Sequence, residues 1–527
     1  MRRTLLKRTR GATALCLASG LTLSAAPALA ATYQVGPGKQ YANLGAVAGL
    51  LAPGDVVEVE GDATYPGDVV FDTPGTAAKK ITIKGIRKNG KRPVISGGTN
   101  TIEAAGDHYV FEGLDLTGGS SRCFYHHAHD IVLRDAVVHD CPGHGILGAD
   151  TDSGSLLLEY TEVHHAGLGT QQHQIYMATD ETAHPGSVFR MQHCYVHNAN
   201  GGNNVKSRAE RNEIYYNWIE GAVFHEIELI GPDGQDPALA REDSDVVGNV
   251  LVKKQTSYVM RFGGDGTGET FGRFRFVNNT VLTLPGGSAV FRLFAGIESV
   301  EMHNNVFAAV GGGSVNLMRQ MEADWSTGSA LIAGSNNWVL EGATNIPAQW
   351  SGTIAGADPG FVDLAKGDLH PSDTSPLVDT GSGQLSGPPG YSFPAPLEVP
   401  AFHPPLKAVG LPGSAEPRPM VKAIDIGAYE FGMGEAGGAG GGGAGGSGGG
   451  AGGAGGSGGT GGAGGEGTGG QGGDGTGGTP SPGDEGTCGC RTPGSAAPAN
   501  GIAAAAGLAL LFAVGRRQRR SRSGPRS

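Results

Sequence analysis

The chain reads as an all-β protein, a right-handed parallel β-helix solenoid with an N-terminal capping helix, followed by a disordered Gly-rich linker and a short C-terminal apolar segment. Two observations predict the solenoid. An apolar lead residue followed three positions later by asparagine recurs in Ile214-Tyr215-Tyr216-Asn217, Val246-Val247-Gly248-Asn249, Phe276-Val277-Asn278-Asn279, Met302-His303-Asn304-Asn305 and Gly334-Ser335-Asn336-Asn337. Toward the N-terminus the lead persists at Phe111, Leu133, Leu158 and Met191, while Leu114, Ala136, Thr161 and Cys194 fill the asparagine slot. The steps between leads are 22, 25, 33, 23, 32, 30, 26 and 32 residues, a coil-sized period. The second observation is that the repeats consist of short strand-like runs, such as Asp130-Ile131-Val132-Leu133, punctuated by Gly, Asp and His turns.

Stacked coils lie one β-sheet spacing apart, ~4.8 Å. Asparagines in register at a bend can then bond to one another up the stack, so Asn217, Asn249, Asn279, Asn305 and Asn337 read as a structural ladder. The unequal steps require extra residues to bulge out as loops, and loops on one side of a solenoid often build its binding face.

Taken in order, residues 1–30 read as an export signal: Arg2, Arg3, Lys7, Arg8 and Arg10, an apolar stretch over 12–26, then Ala28-Leu29-Ala30 before the cut. Arg2-Arg3-Thr4-Leu5-Leu6-Lys7 also resembles a twin-arginine signal, with the ordinary secretory route preferred. The solenoid domain spans 31–431. Residues 41–52 have helical apolar spacing and lead through Pro53-Gly54-Asp55 into the strand Val56-Val57-Glu58-Val59. This resembles the capping helix and first strand of pectate-lyase-like β-helix proteins. Ser375-Pro376-Leu377-Val378-Asp379 and Asp425-Ile426-Gly427-Ala428-Tyr429-Glu430-Phe431 resemble the closing segments of bacterial right-handed β-helix proteins. Residues 432–486 are almost entirely Gly with Ala, Ser and Thr, a composition that cannot bury a core and reaches ~40 Å as a random coil. Residues 487–527 carry Cys488-Gly489-Cys490-Arg491, an apolar run over 501–514 and Arg516-Arg517-Gln518-Arg519-Arg520. The run is short of the ~20 residues of an ordinary span, yet its basic stop fits a sorting tail. This segment resembles the myxobacterial MYXO-CTERM sorting tail, which implies surface sorting with transient or C-terminal membrane association.

Formal net charge is −12, and removal of residues 1–30 and 516–527 with their 11 basic residues leaves 27 minus 50, or −23. Such a chain repels nucleic acid, so a polyanionic partner binds only where cations cluster locally. A monomer is expected. No cysteine spacing suits zinc, and no metal or cofactor is assigned. Cys123 and Cys141 stand nearly one coil apart and could pair outside the cytoplasm, although their different positions within their coils tell against the bond. Cys194, in the asparagine slot, reads as a small buried residue. His139, His164 and His197 occupy one slot on three coils. A straight file of imidazoles rarely makes a tetrahedral zinc site, so polar stacking at a turn is preferred.

The sharpest functional hint is the second strand of each coil. Overlaying His173-Gln174-Ile175-Tyr176, Asn203-Asn204-Val205-Lys206 and His225-Glu226-Ile227-Glu228 points Ile175, Val205 and Ile227 inward and Tyr176, Lys206 and Glu228 outward. Met260 and Phe291 continue the inward file, which places Arg261 and Arg292 outside. Arg208 and Arg211 follow closely behind Lys206. Charged residues also belong on any solvated strand face. Against that plain reading, β-elimination from a uronic acid needs a base and cations, which a flanked lysine and neighbouring arginines can supply. Asn204-Val205-Lys206-Ser207, with Asn212 and Asn217 downstream, resembles the pattern around the base of polysaccharide lyase family 6, whose members are right-handed β-helices. The resemblance implies Lys206 as base with Arg261 neutralising the substrate carboxylate. Tyr176 is then a proton donor and Glu228 a group tuning the lysine, with His173, Asn204, Arg208 and Arg292 as substrate contacts. The chain departs from that family in having Glu228 where an arginine is expected. Gly143-His144-Gly145 resembles polygalacturonase-type hydrolases, but their paired aspartates have no counterpart. The expectation is a polysaccharide-acting surface protein, a lyase of uronate glycan, with a non-catalytic glycan-binding or structural protein as the alternative.

Overall fold

The computed structural model describes residues 30–432 except 232–242, 255–256, 264–271, 286–288, 295, 320–324, 326–327, 389, 391–396, 398, 419 and 421. The signal, most of the linker and the tail expected from sequence lie outside the described residues.

Three stacks of short strands enclose one apolar core. A thirteen-stranded sheet runs from Thr32–Val35 to Trp350–Ser351, a twelve-stranded sheet from Thr64–Pro66 to Ile354–Gly356, and a nine-stranded sheet from Val69–Phe71 to Phe291–Leu293. Neighbours within each are parallel; among the described strands the antiparallel pair is Phe361–Asp363 with Asp368–Pro371. This is a parallel β-helix, with stacked strands running from Thr32–Val35 to Ile354–Gly356 within the expected domain of 31–431. The lead residues are in register throughout, Phe111 beside Leu133, then Leu158, Met191, Ile214, Val246, Phe276, Met302 and Gly334. From Phe111 through Met302 they fill the central core.

The bend after each lead explains the ladder. The residue before each ladder slot has a left-handed backbone: Gly113, Asp135, Tyr160, His193, Tyr216, Gly248, Asn278, Asn304 and Asn336 all have φ between 46° and 74°. Such single residues turn the chain sharply and tip the next side chain inward, and Gly, Asn and Asp tolerate the conformation best. The tipped asparagines are fully buried. Asn217, Asn249, Asn279 and Asn305 each donate from Nδ2 to the Oδ1 of the next rung, at 3.0, 3.0, 3.2 and 2.9 Å. Each also donates to a backbone carbonyl, which satisfies polar groups that the bend would otherwise strand.

Departures from the sequence reading are local. The expected helix over 41–52 contracts to one turn, Gly45–Ala48, although Leu44, Val47, Ala48 and Leu51 do enter the core. Cys123 and Cys141 are bonded, their Cα atoms 5.9 Å apart. Cys141 lies in the bend leading to the strand His144–Gly148, which stacks on Arg122–His126, so a corner closes the distance that position within the coil suggested was wrong. His139, His164 and His197 stack with ring centroids 5.1 and 5.0 Å apart, but at strand ends rather than in a turn. Cys194 is buried as expected, and its amide donates to Asn217 Oδ1 at 2.9 Å.

The closing segments run back along the outside. Leu369, Leu377, Ile426, Ala428 and Tyr429 pack on Trp218, Val250, Leu282, Val306 and Trp338 of the twelve-stranded sheet, forming a second core. The left-handed asparagines point outward to hold this strap: Asn278 Nδ2 donates to the Asp425 carbonyl at 2.9 Å, Asn304 to Ser382 at 2.9 Å and Asn336 to Thr380 at 3.1 Å. The Asn-Asn pairs of the repeat thus serve two sides, one residue bonding the stack and its neighbour the strap.

Candidate active site

The nine-stranded sheet positions the column proposed from sequence. Ile175, Val205, Ile227, Met260 and Phe291 are in register and buried in the central core. Strand alternation therefore places Tyr176, Lys206, Glu228, Arg261 and Arg292 side by side on the other face. The expectation of a solvated face fails, however. Tyr176 is 4% exposed, Lys206 2%, Glu228 2% and Arg292 8%. A strand pattern gives the direction of a side chain and carries no information about what lies above it.

The contacts make this a connected charged cluster. Lys206 Nζ stands 3.9 Å from Glu228 Oε2 and 5.3 Å from the centre of the Tyr176 ring. Glu228 Oε1 pairs with Arg261 Nη1 at 2.9 Å, and its Oε2 accepts from Asn203 Nδ2 at 2.7 Å. Arg261 and Arg292 both cover the Phe294 ring, at 4.4 and 4.3 Å. Two cations thus flank the lysine column on the C-terminal side.

Other expected contacts are redistributed. Arg208 is 1% exposed; its Nε donates to the Tyr176 hydroxyl oxygen at 3.1 Å and its Nη1 to the Gly231 carbonyl at 2.8 Å, so it orients the phenol rather than presenting itself to substrate. Asn204 is a correction. It sits at the bend before its strand and turns into the solenoid, accepting from Gln174 Nε2 at 2.7 Å and donating to Glu226 Oε2. Buried Lys253 completes that interior network through Glu226 at 3.5 Å. Arg211 belongs to the neighbouring sheet, paired with Glu213 and Asp245 at 2.9 Å each.

His173 does join the cluster, its ring 5.7 Å from Tyr176. It belongs to a file that sequence reasoning missed. The amide of His173 donates to His144 Nδ1 at 3.1 Å, that of Asn203 to His173 Nδ1 at 2.9 Å, and that of His225 to Asn203 Oδ1 at 2.9 Å. In His144 and His173 an Nδ1 that accepts an amide leaves the proton on Nε2. Burial first, then Arg122 and Lys206, push His144 down to about 4, and burial with Arg261 and Lys253 pushes His225 well below its ordinary range. Both are neutral at pH 7. The available signal was the shared position of His173, Asn203 and His225 at the start of the overlaid segments.

A second cluster, His370, His403 and Glu416, has ligand atoms within 4.8 Å of one another within the closing segments. Asp368 Oδ1 accepts from His370 Nδ1 at 2.7 Å, which leaves the His370 Nε2 lone pair available. The Glu430 amide, however, donates to His403 Nε2 at 3.1 Å, placing the His403 proton on Nδ1, the atom that faces the others. That tautomer opposes a metal ligand. Hollows of about 470 Å³ at Lys91 and Asp115 and about 270 Å³ at Tyr160 and Glu416 lie outside the Lys206 column.

No protein-family model matches the chain, and no curated protein is similar to it in sequence. Among solved structures, the chain is similar to the pectate lyase Pel9A at 13% identity, with a TM-score of 0.46 over 76% of this chain and 97% of that one. It is also similar to a rhamnogalacturonan lyase at 13% identity, TM-score 0.44, over 63% of this chain and 91% of the other. The PL6 family alginate lyase AlyGC is similar at 14% identity, TM-score 0.35, over 59% of this chain and 52% of that chain.

Proposed function

We propose that this β-helix acts on polysaccharide at the Lys206 column, cleaving a uronate-containing glycan by β-elimination. The observation that carries the reading is the alignment, on successive strands, of Tyr176, Lys206, Glu228 and Arg261 with a second arginine beyond. Lys206 takes the proton from the carbon beside the substrate carboxylate, and Arg261 stabilises the charge that moves onto that carboxylate. The bond to the glycosidic oxygen breaks as the new double bond forms. Tyr176, oriented by Arg208, returns a proton to the departing oxygen. Glu228, between Lys206 and Arg261, holds both in line. Residues 1–30 and 487–527 would export the domain and sort it to the cell surface.

The burial of Lys206 and the 2.9 Å Glu228–Arg261 pair favour a second reading, a structural or glycan-binding protein whose charges lock the sheet face. Incubation with a panel of polyuronates, following ultraviolet absorbance of unsaturated ends, separates the two. Lys206→Ala is expected to cost ~10² to 10⁴ in rate. Glu228 keeps Arg261 and Asn203, so the loss of stability stays near ~1–3 kcal/mol. Full activity in Lys206→Ala would end the assignment, and binding without cleavage by the native domain would establish the second reading.

A further inference from the structure

The nine-stranded sheet changes character along its length. Its middle coils bury Tyr176, Lys206 and Glu228, whereas Asn100, Glu103, Arg122 and Tyr125 on earlier coils, like Arg261 on a later one, remain half-buried on the same face. Tyr125, Leu147, Tyr176 and Lys206 are in file, so Tyr125 stands three coils from Lys206, ~14 Å at the strand spacing.

Arg122 is unusual in a chain of net charge −12. Among the described residues no carboxylate pairs with it. The acid nearest in register, Glu103, is engaged by Asn100 Nδ2 at 2.8 Å and His127 Nε2 at 3.0 Å. The Arg122 guanidinium lies 4.4 Å from the centre of the Tyr125 ring, makes one long bond from Nη1 to Asn100 Oδ1 at 3.4 Å, and keeps Nε buried without a hydrogen-bond partner. An arginine held against an aromatic ring with its donors unspent is prepared for a planar anion. His144 stands beside Arg122 in register. Its Nε2 carries the proton, because Nδ1 accepts the His173 amide, so it adds an uncharged donor.

We propose that Arg122, seated on Tyr125 and flanked by His144, is a carboxylate-binding subsite for an anionic glycan lying across the coils with its reacting unit at Lys206. The inference rests on the polysaccharide-acting reading above and adds to it a direction of binding and a requirement for a second uronate remote from the bond that breaks. A polymer then enters from the N-terminal coils, where the face is accessible.

Calorimetric titration of the Lys206→Ala domain, which holds substrate without cleaving it, with di- and hexa-uronates and neutral oligosaccharides tests the subsite. Affinity should rise with uronate length and not with neutral length. Adding Arg122→Gln should reduce that gain ~10- to 100-fold, the range of one charge-assisted hydrogen bond set. Arg122→Lys should recover part of the gain, and in the Lys206-containing domain Arg122→Gln should raise KM on polymer more than it lowers kcat. An unchanged length dependence, an equal loss on the disaccharide, or no uronate binding at all would overturn the subsite. Cleavage by the native domain with an Arg122-independent KM refutes the subsite and leaves the lyase reading standing; Arg122-dependent binding without cleavage does the reverse.

Discussion

Replacing Asn279 with alanine tests the ladder at its middle rung. Asn279 makes four side-chain bonds: Nδ2 donates to the Val246 carbonyl at 2.9 Å and to Asn305 Oδ1 at 3.2 Å, while its Oδ1 accepts the Asn249 amide at 2.9 Å and Asn249 Nδ2 at 3.0 Å. At a net ~1 kcal/mol for each buried bond, Asn279→Ala removes ~4 kcal/mol, and it strands the backbone amide of buried Asn249, whose Nδ2 keeps the Ile214 and Val247 carbonyls. Fit is not at issue, because Ala136 occupies the same slot on an earlier coil without disturbing the stack. The loss therefore reports hydrogen bonding rather than volume. Urea unfolding followed by far-ultraviolet circular dichroism and tryptophan fluorescence should show a lowered midpoint. A change below ~1 kcal/mol would show that the rungs are individually dispensable and that apolar packing alone sets the stack.

Acid should destabilise the domain in a defined window. The fully buried His126 is pushed down to about 4 by burial, so between pH 6.5 and 4 the unfolded chain binds a proton that the folded one refuses, and stability is lost as pH falls through that range, by ~3 kcal/mol for this group. His139 has the opposite sign: Asp115 raises it to about 9, so its contribution is complete below 6.5 and is lost as pH rises toward 9. Unfolding midpoints across pH 4–9 should peak between these limits, and His126→Gln should flatten the acid limb; an unaltered limb would remove His126 from the account. Deleting residues from 369 onward should expose Trp218 and Trp338 and produce aggregation or dye binding, whereas deletion from 432 onward should preserve the dichroism spectrum and midpoint. Equal behaviour of the two truncations would refute the distinction between strap and tail.

The coil register was legible because each bend repeats one local phrase. An apolar lead, a bend residue and an inward asparagine recur at steps that loops can lengthen without altering the match, and the file from Tyr176 to Arg292 followed from alternation alone. Burial of that file was not legible, since strand alternation fixes the direction of a side chain and not its exposure. Asn204 misled for a related reason: alternation holds along a strand, and Asn204 stands in the bend before Val205–Arg208, where the count of faces has not begun. The neutral state of His144 required a backbone amide from the next coil, and the Cys123–Cys141 bond required a corner, neither of which a linear spacing displays. The left-handed Tyr160 and Tyr216 lack the preference for that backbone that Asn, Asp and His show; they stack on His193 at 4.9 and 5.4 Å, and the column supports what each tyrosine alone disfavours.

The outer asparagines have a consequence for how the molecule opens. In a stack whose coils touch only their neighbours, the end coil can peel away and each departure eases the next. Here Asn278, Asn304 and Asn336, on three successive coils, hold two returning segments that are bonded to each other through Asp379 and Asp425, and the Asn278–Asp425 bond joins positions 147 residues apart. Peeling the last of these coils breaks its neighbour contacts and its grip on its segment together, while the coils before it keep that segment in place. The C-terminal half is therefore latched, and its fluctuations are concerted across several coils instead of fading inward from a loose edge.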